Sequence, residues 1–190
     1  ILGKLFLDSG ASQKMSKVLL DYLCKGKNDV QRRVIGFCIV FVIGTVFTYV
    51  GIDPYATLFI MIGIGTGVCF EADIPRRFLP VMLIFGTTLG NAIPGSSSAV
   101  NVICMNFLEG TSALSAKIPG IIYCVILVGA TFFYIRKQIR KDSENGMHFE
   151  YGPLKPPVEI PEENYPPFLL TLIPLIATPI FANTICAGYA

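Results

Sequence analysis

Long apolar stretches alternate with short charged blocks along the chain, and their lengths are typical of membrane-spanning helices. Residues 34–70 carry one charged side chain, Asp53, in 37 positions. As a single helix this stretch would be roughly 55 Å long, nearly twice the ~30 Å hydrocarbon core of a bilayer. Because proline disfavours helix at the residue before it, Asp53-Pro54 marks a turn. The pattern therefore predicts two spans, at about 34–52 and 55–70.

Residues 78–108 contain no charged side chain at all. This stretch would form roughly 46 Å of helix, which is too long for one straight span and too short for two. We expect a span at 78–93 that is followed by a re-entrant or broken segment at 94–108. A further apolar stretch predicts a span at 118–135. Apolar residues at helical spacing before the first span predict an amphipathic helix at 12–24.

The spans define a coarse domain organisation. Residues 1–141 are expected to form one transmembrane unit, and the acidic, proline-rich residues 142–166 are typical of a water-exposed loop. A new apolar segment at 167–190 is expected to begin a second transmembrane unit. Because the chain has no initiating Met and stops within this segment, we expect it to be a fragment of a longer protein.

Composition supports the membrane class. Hydrophobic residues make up 53% of the chain and charged residues only 15%, whereas about a quarter of the residues of a soluble domain are charged. The mean hydropathy is +0.62. The fold class predicted is an all-α integral membrane protein with several transmembrane helices, and the lipid bilayer is its expected environment. The net charge of +2 is too small and too scattered to indicate a nucleic-acid partner.

Basic residues give the orientation of the spans. Lysine and arginine cluster at 25–33, 76–77 and 136–141. Because cytoplasmic loops carry an excess of these residues, the clusters are expected to face the cytoplasm. We therefore expect a multi-pass protein of the cell's cytoplasmic membrane, with cytoplasmic loops at 25–33, 71–77 and 136–166.

The charge-free stretch contains a polar break, which is the candidate substrate site. Non-helical backbone is tolerated within a membrane only where protein buries it or a water-filled cavity solvates it. A helix that restarts after such a break offers unpaired N–H groups and the positive end of its dipole to an anion. The candidate substrate-binding residues are Thr87, Thr88, Asn91, Pro94, Gly95, Ser96, Ser97, Ser98 and Asn101. A turn just outside the bilayer, with ordinary loop serines, is the alternative.

Other residues have both a functional and a structural interpretation. Asp53 is a candidate for ion coupling, because acids within membranes mark ion paths, or else a solvated turn residue. The only histidine, His148, is either a solvated loop residue or a pH sensor. The glycines of Gly63-Ile-Gly65-Thr-Gly67 favour close helix packing over a phosphate-binding loop. The six cysteines are isolated from one another, so we expect neither a metal site nor disulfides.

Four sequence motifs carry a resemblance to a known family. "IPGSSSAVN" at 93–101 resembles the P-G-[TS]-x-x-x-x-N motif of the gluconate permease family, bacterial symporters within the ion transporter superfamily. "FLDSGAS" at 6–12, "EADIPRRFLP" at 71–80 and "GTSALSAKIPGII" at 110–122 are similar to further segments of that family. The four motifs follow in the same order and spacing, and the resemblance covers about residues 3–176.

The resemblance implies a proton-coupled uptake carrier with an inverted-repeat fold and re-entrant hairpins. Pro94, Gly95, Ser96 and Asn101 fall on the matching motif positions, and the D-S-G-A match makes Asp8 a second candidate for ion coupling. Two positions depart from the family pattern. Ser97 and Lys117 both stand where the family commonly has proline, and the first departure makes the loop more flexible and richer in hydrogen-bond donors.

These observations together predict a secondary active transporter. Its expected partners are a small organic anion, such as gluconate or a related hydroxy-carboxylate, and a coupling cation, H⁺ or Na⁺. The alternatives are a membrane-embedded enzyme and an uncoupled anion channel. The sequence offers no H-E-x-x-H motif and no acid pair within a span, so we expect no enzymatic activity, no catalytic residues and no cofactor. The oligomeric state is left open, with a homo-oligomer as one alternative.

Overall fold

The computed structural model describes residues 11–108 and 110–150, together with the single positions 152, 167, 173 and 177. Within these residues the chain is all-helical, with no strand. The predicted start of a second transmembrane unit at 167–190, and residues 1–10, lie outside the described part except for those single positions. The helices are α1 (Ala11–Leu23), α2 (Asp29–Tyr49), α3 (Pro54–Glu71), α4 (Leu79–Ala92), α5 (Ala99–Phe107) and α6 (Lys117–Glu144).

Three of these helices, α2, α3 and α6, are long and apolar enough to cross a membrane. A fourth, α4, has 14 residues and is preceded by a 3₁₀ turn at Arg76–Phe78. The all-helical architecture with three candidate spans agrees with the class of fold that the sequence predicts. The described residues do not include a second unit with which an inverted repeat could be compared.

Two helices extend further than their apolar stretches. Whereas the predicted span begins at residue 34, α2 begins at Asp29, because glutamine and arginine favour helix even outside the hydrocarbon. Likewise α6 continues past residue 135 to Glu144. Its last turns are supported by an ion pair between Arg140 and Glu144, at 3.0 Å and one helical turn apart. The first residues of the predicted loop at 142–166 are therefore helical.

The closest helix packing is between α2 and α4, and it depends on glycines. A side-chain carbon at Gly86 would lie 2.8 Å from the carbonyl oxygen of Phe41. At Gly90 it would collide with the hydroxyl of Thr48 and lie 2.5 Å from the carbonyl oxygen of Thr45. Small residues at such positions let two helix backbones approach closely.

The other helices are arranged around this pair. Gly65 places α3 against α4, since a side-chain carbon there would lie 2.6 Å from Leu79. The amphipathic α1 packs on α3, and its Met15 and Leu20 are fully buried. The core is apolar and includes Phe37, Val40, Met61, Ile64, Val68 and Met82.

The long helix α6 packs on α2 and α4 along one side only. Its buried residues lie in its C-terminal half, towards the charged end of the helix, and include Thr131, Ile135 and Ile139. Phe132 meets Phe41 edge to face, with ring centroids 6.3 Å apart. The opposite side exposes large apolar residues, namely Ile118, Ile121, Ile122, Val125, Ile126 and Phe133. A surface of this kind is suited to contact with lipid.

Candidate functional site

The polar break separates α4 from α5 and is a short, defined loop. The first helix ends at Ala92 and the second begins at Ala99. Gly95 adopts a left-handed backbone with a φ of 83°, a conformation that residues with a side chain rarely adopt. The ring of Pro94 packs on Gly120 at the start of α6, where a side-chain carbon would lie 2.9 Å from the proline Cγ.

The break lies beside the end of α2 and the turn that follows it. The carbonyl oxygen of Tyr49, the last residue of α2, accepts from the Ser97 N–H at 3.0 Å and from the Ser96 hydroxyl at 3.4 Å. Gly51, with a φ of 107°, packs on the Ser97 carbonyl. The break is thus level with residues 49–51 rather than half-way along the helices.

All four amide groups of 95–98 donate within the chain. Gly95 donates to the carbonyl of Ala113 at 3.0 Å, and Ser96 donates to the carbonyl of Ile93 at 3.1 Å. Ser97 donates to Tyr49, and the Ser98 N–H donates to the Ser96 hydroxyl oxygen at 3.2 Å. In this conformation the N–H groups that the sequence presented as anion donors are therefore occupied by the protein's own oxygens.

Two buried polar atoms at the break have no hydrogen-bond partner in the described part of the chain. They are the hydroxyl oxygen of Ser98, whose residue is only 1% exposed, and the side-chain oxygen of Asn91. Ser98 directly precedes α5 but its hydroxyl does not cap the helix. A buried polar group without a partner costs free energy, so these two atoms lower the stability of the folded protein.

Asn101 closes the break from the α5 side. Its side-chain amide donates to the carbonyl of Asn91 at 3.2 Å and to the carbonyl of Ser96 at 3.3 Å. Asn91, Ser96, Ser98 and Asn101 therefore form one connected group around the loop. The N–H groups in the first turn of α5, at Ala99 and Val100, cannot be bonded within the helix. The Ser98 hydroxyl, the Asn101 amide and the N-terminus of α5 thus lie together at the break, and none of them carries a fixed charge.

Thr87 and Thr88 lie more than one turn before the break, and their hydroxyls bond to their own helix. Thr87 donates to the carbonyls of Leu83 and Ile84 at 3.1 and 3.0 Å. Thr88 donates to the carbonyl of Ile84 at 2.8 Å. The structure therefore places both threonines apart from the group that surrounds the loop.

Asp53 has a local structural role as the N-cap of α3. Its carboxylate accepts from the N–H groups of Tyr55 and Ala56 at 2.9 and 3.1 Å, and the residue is exposed. A carboxylate at this position satisfies two of the unpaired amides of the first turn. The other candidate for ion coupling, Asp8, lies outside the described residues.

A charged cluster at the opposite end of the helices was not anticipated from sequence. The Asp73 carboxylate accepts from Arg33 at 2.5 Å, from the backbone N–H of Phe149 at 2.9 Å, and lies 2.7 Å from the Nδ1 of His148. Burial raises the pKa of this carboxyl, but the hydrogen bonds from Phe149, His148 and Arg33, with the Arg33 charge, outweigh burial and hold the pKa below its ordinary value.

A second ion pair joins the same end of the protein, between Arg77 and the buried Asp142 of α6. The partners in both pairs are far apart in sequence: 40 residues separate Arg33 from Asp73, and 65 separate Arg77 from Asp142. No local spacing pattern relates them. Asp73 lies two residues after the end of α3 and adopts a left-handed φ of 53°.

Comparison with known proteins gives one significant relative. Over 148 residues, which are 77% of this chain, the sequence is 24% identical to a protein of Bacillus subtilis (strain 168) named "Uncharacterized transporter YxjC". The chain spans only 29% of that relative's length. No family model matches the chain, and no solved structure matches it significantly. The similarity is therefore to part of a protein named as a transporter.

Proposed function

We propose that this chain forms part of a secondary active transporter that imports a small organic anion together with a coupling cation. The substrate class is gluconate or a related hydroxy-carboxylate, and the cation is H⁺ or Na⁺. Three observations support the proposal. They are the helical fold with candidate membrane spans, the similarity to a named transporter, and the motifs that resemble the gluconate permease family.

The observation that carries the proposal is the buried, unpartnered hydroxyl of Ser98 at the start of α5. A hydroxyl there can donate to a carboxylate oxygen or accept from a substrate hydroxyl. The adjacent N–H groups of the first turn of α5 carry the positive end of the helix dipole. The site would therefore hold an acid without placing a fixed positive charge in the membrane.

The internal hydrogen bonds of the loop fit a carrier that opens its site only when substrate arrives. The carbonyl oxygens of Tyr49 and Ala113 now accept the N–H groups of Ser97 and Gly95. A bound carboxylate would replace these carbonyls as the acceptor, so that no buried donor is left unpaired in either state. Alternating access requires an exchange of this kind, because the same site must form and release its contacts on both sides of the membrane.

Cation coupling follows from the charge of the substrate. The membrane potential opposes entry of a monovalent anion by about 2.3 kcal/mol per 100 mV. Co-transport of one cation makes the transported complex neutral, and co-transport of more than one makes uptake electrogenic and favourable. In this scheme Asp53 or Asp8 is the candidate carboxylate that carries the proton.

The test is uptake of labelled carboxylates by the full-length protein in proteoliposomes. Ser98→Ala should raise the KM for the transported acid by about tenfold, which corresponds to one hydrogen bond to a charged group. Because the Ser98 hydroxyl has no partner among the described residues, its removal should not lower the thermal stability. Ser112→Ala, which changes an exposed loop serine, is the matched control and should leave both quantities unchanged.

The result that contradicts the site is normal transport by Ser98→Ala. Counterflow with labelled substrate separates the function classes. A carrier exchanges the label against an unlabelled pool, a channel carries it without accumulation, and an enzyme alters it. A chemically altered product or flux that never saturates would contradict the transporter itself.

A further inference from the structure

A groove between α3 and α4 combines an apolar floor with a basic end. Its volume is about 650 Å³. The apolar lining comes from Leu58, Ile62, Leu79, Pro80, Leu83 and Ile84. The remaining lining residues are Arg76 and Arg77, in the 3₁₀ turn that precedes α4. Ile62 and Ile84 are 39% and 53% exposed, so the groove opens on the outer surface of the helices.

The groove follows the two helices away from the arginines. The helices run antiparallel, because a short loop joins the end of α3 to the start of α4. On α4 the lining extends from Leu79 to Ile84, which is about 8 Å along that helix, and Leu58 and Ile62 line the groove on α3. The groove therefore leads from the two arginines along apolar side chains and has room for part of an acyl chain.

The basic end of the groove is suited to an anionic occupant. No acidic residue lines the groove in the described part of the chain. The Arg77 guanidinium lies 5.2 Å from the centre of the Phe78 ring and is half-exposed while paired with Asp142. A partly exposed guanidinium that is fixed on one side keeps donors for a phosphate on the other side, because arginine offers five N–H groups.

We propose that this groove binds an anionic phospholipid of the cytoplasmic leaflet, with its phosphate at Arg76 and Arg77 and one acyl chain along the apolar lining. The basic clusters place this end of the helices in the cytoplasm, where anionic lipids give the membrane surface its negative potential. Basic pockets between transmembrane helices on that side bind lipid head groups. The proposal concerns a lipid site distinct from the polar break and does not depend on which acid is transported.

The test is native mass spectrometry of the full-length protein in detergent, titrated separately with dioleoyl-phosphatidylglycerol and dioleoyl-phosphatidylcholine. The anionic lipid should bind at least about fivefold more tightly, since one arginine near the surface contributes about 1 kcal/mol, or fivefold. Arg76→Gln should remove about fivefold of that preference and leave phosphatidylcholine binding unchanged. Ile84→Trp and Ile62→Trp, which fill the groove, should reduce binding of both lipids.

Matched controls lie on α6, outside the groove. Arg136→Gln removes one positive charge outside the groove and should lower the preference for the anionic lipid less than Arg76→Gln does. Ile121→Trp enlarges another exposed isoleucine, 55% exposed in the wild type, and should not change lipid binding. Equal affinity for the two lipids would overturn the proposal. Equal losses of lipid binding in Ile121→Trp and in both groove variants would also overturn it. Displacement of the bound lipid by millimolar glycerol phosphate alone would show an anion site without an acyl groove, which also contradicts it.

Discussion

The guanidinium of Arg33 donates to the Asp73 carboxylate at 2.5 Å and thereby joins the start of α2 to the loop after α3. The Arg33 side chain is 5% exposed and that of Asp73 is 43% exposed. A buried positive charge is therefore neutralised by a carboxylate that also reaches the surface. His148 and Phe149 bind the same carboxylate, so three separate parts of the chain meet at one residue.

Asp73→Ala is expected to destabilise the protein by about 1–3 kcal/mol, because it leaves the buried Arg33 without its counter-charge. Thermal unfolding of the purified protein in detergent measures this change. Glu144→Ala is the control, because it removes an ion pair with Arg140 whose partners are both well exposed. An exposed pair of this kind should contribute little. Equal effects of the two substitutions would contradict the structural role of Asp73.

The lowered pKa of Asp73 predicts a specific pH dependence. A carboxyl whose pKa is lower in the folded protein contributes stability at pH values above its ordinary pKa of 3.8. This stability is lost as the pH falls through 3.8 and further through the folded value. The difference in melting temperature between wild type and Asp73→Asn should therefore shrink as the pH falls below about 4. A difference that grows on acidification would contradict the assignment.

Gly90→Ala is expected to be destabilising by about 1–3 kcal/mol or to prevent folding, because the added carbon collides with Thr48. Gly129→Ala is the matched control. It is also a helical glycine, but nothing lies within 4 Å of the added carbon. There the substitution should stabilise the protein by about 0.5–1 kcal/mol through helix propensity. Thermal unfolding of both variants checks the prediction, and similar behaviour would contradict the close contact of α2 with α4.

Gly95→Ala tests whether the shape of the break matters for transport. The added carbon would make only ordinary contacts, at 3.5 Å from Leu114 and Tyr49, so its cost of about 1–2 kcal/mol is backbone strain at positive φ. Gly110→Ala imposes the same strain at a φ of 77° in open space. We expect a similar loss of stability in both variants but reduced substrate uptake only in Gly95→Ala. Equal uptake would show that the loop geometry is not part of the transport site.

Asp53 variants separate capping from ion coupling. Because Asp53 is the N-cap of α3, Asp53→Ala should cost about 1 kcal/mol of stability, while Asp53→Ser should keep the cap. Uptake driven by a pH gradient should then survive in Asp53→Ser. Loss of gradient-driven uptake in Asp53→Ser, with intact stability and intact counterflow, would instead identify Asp53 as the coupling carboxylate.

Much of the helical organisation follows from local signals in the sequence. The predicted span at 55–70 and the observed α3 differ by one residue at each end, because Asp53 and Pro54 together define a helix start. The predicted amphipathic helix at 12–24 and the observed α1 likewise differ by one residue at each end. Pro94 and Gly95 mark the break for the same reason, since one cannot continue a helix and the other permits a left-handed backbone.

Long-range relationships could not be predicted in this way. Nothing local indicates that the Tyr49 carbonyl would receive Ser96 and Ser97, and this contact determines how far along the helices the break lies. The sequence suggested the hydroxyls of Thr87 and Thr88 as hydrogen-bond donors of the site. A threonine in a helix can instead donate to a backbone carbonyl of the preceding turn, as both do here. The partners of Asp73 depend on the packing of three helices and have no sequence spacing of their own.

The length of α6 has a mechanical consequence for α4. Near its C-terminal end α6 pairs with Arg77 through Asp142, and near its start Gly120 packs against the ring of Pro94. The residues just before and just after α4 thus both contact α6, and these two contacts oppose a shift of α4 along α6. In the proposed transporter, access to the Ser98 hydroxyl would then change through a rotation of α5 about residues 95–98, while α4 stays fixed against α6.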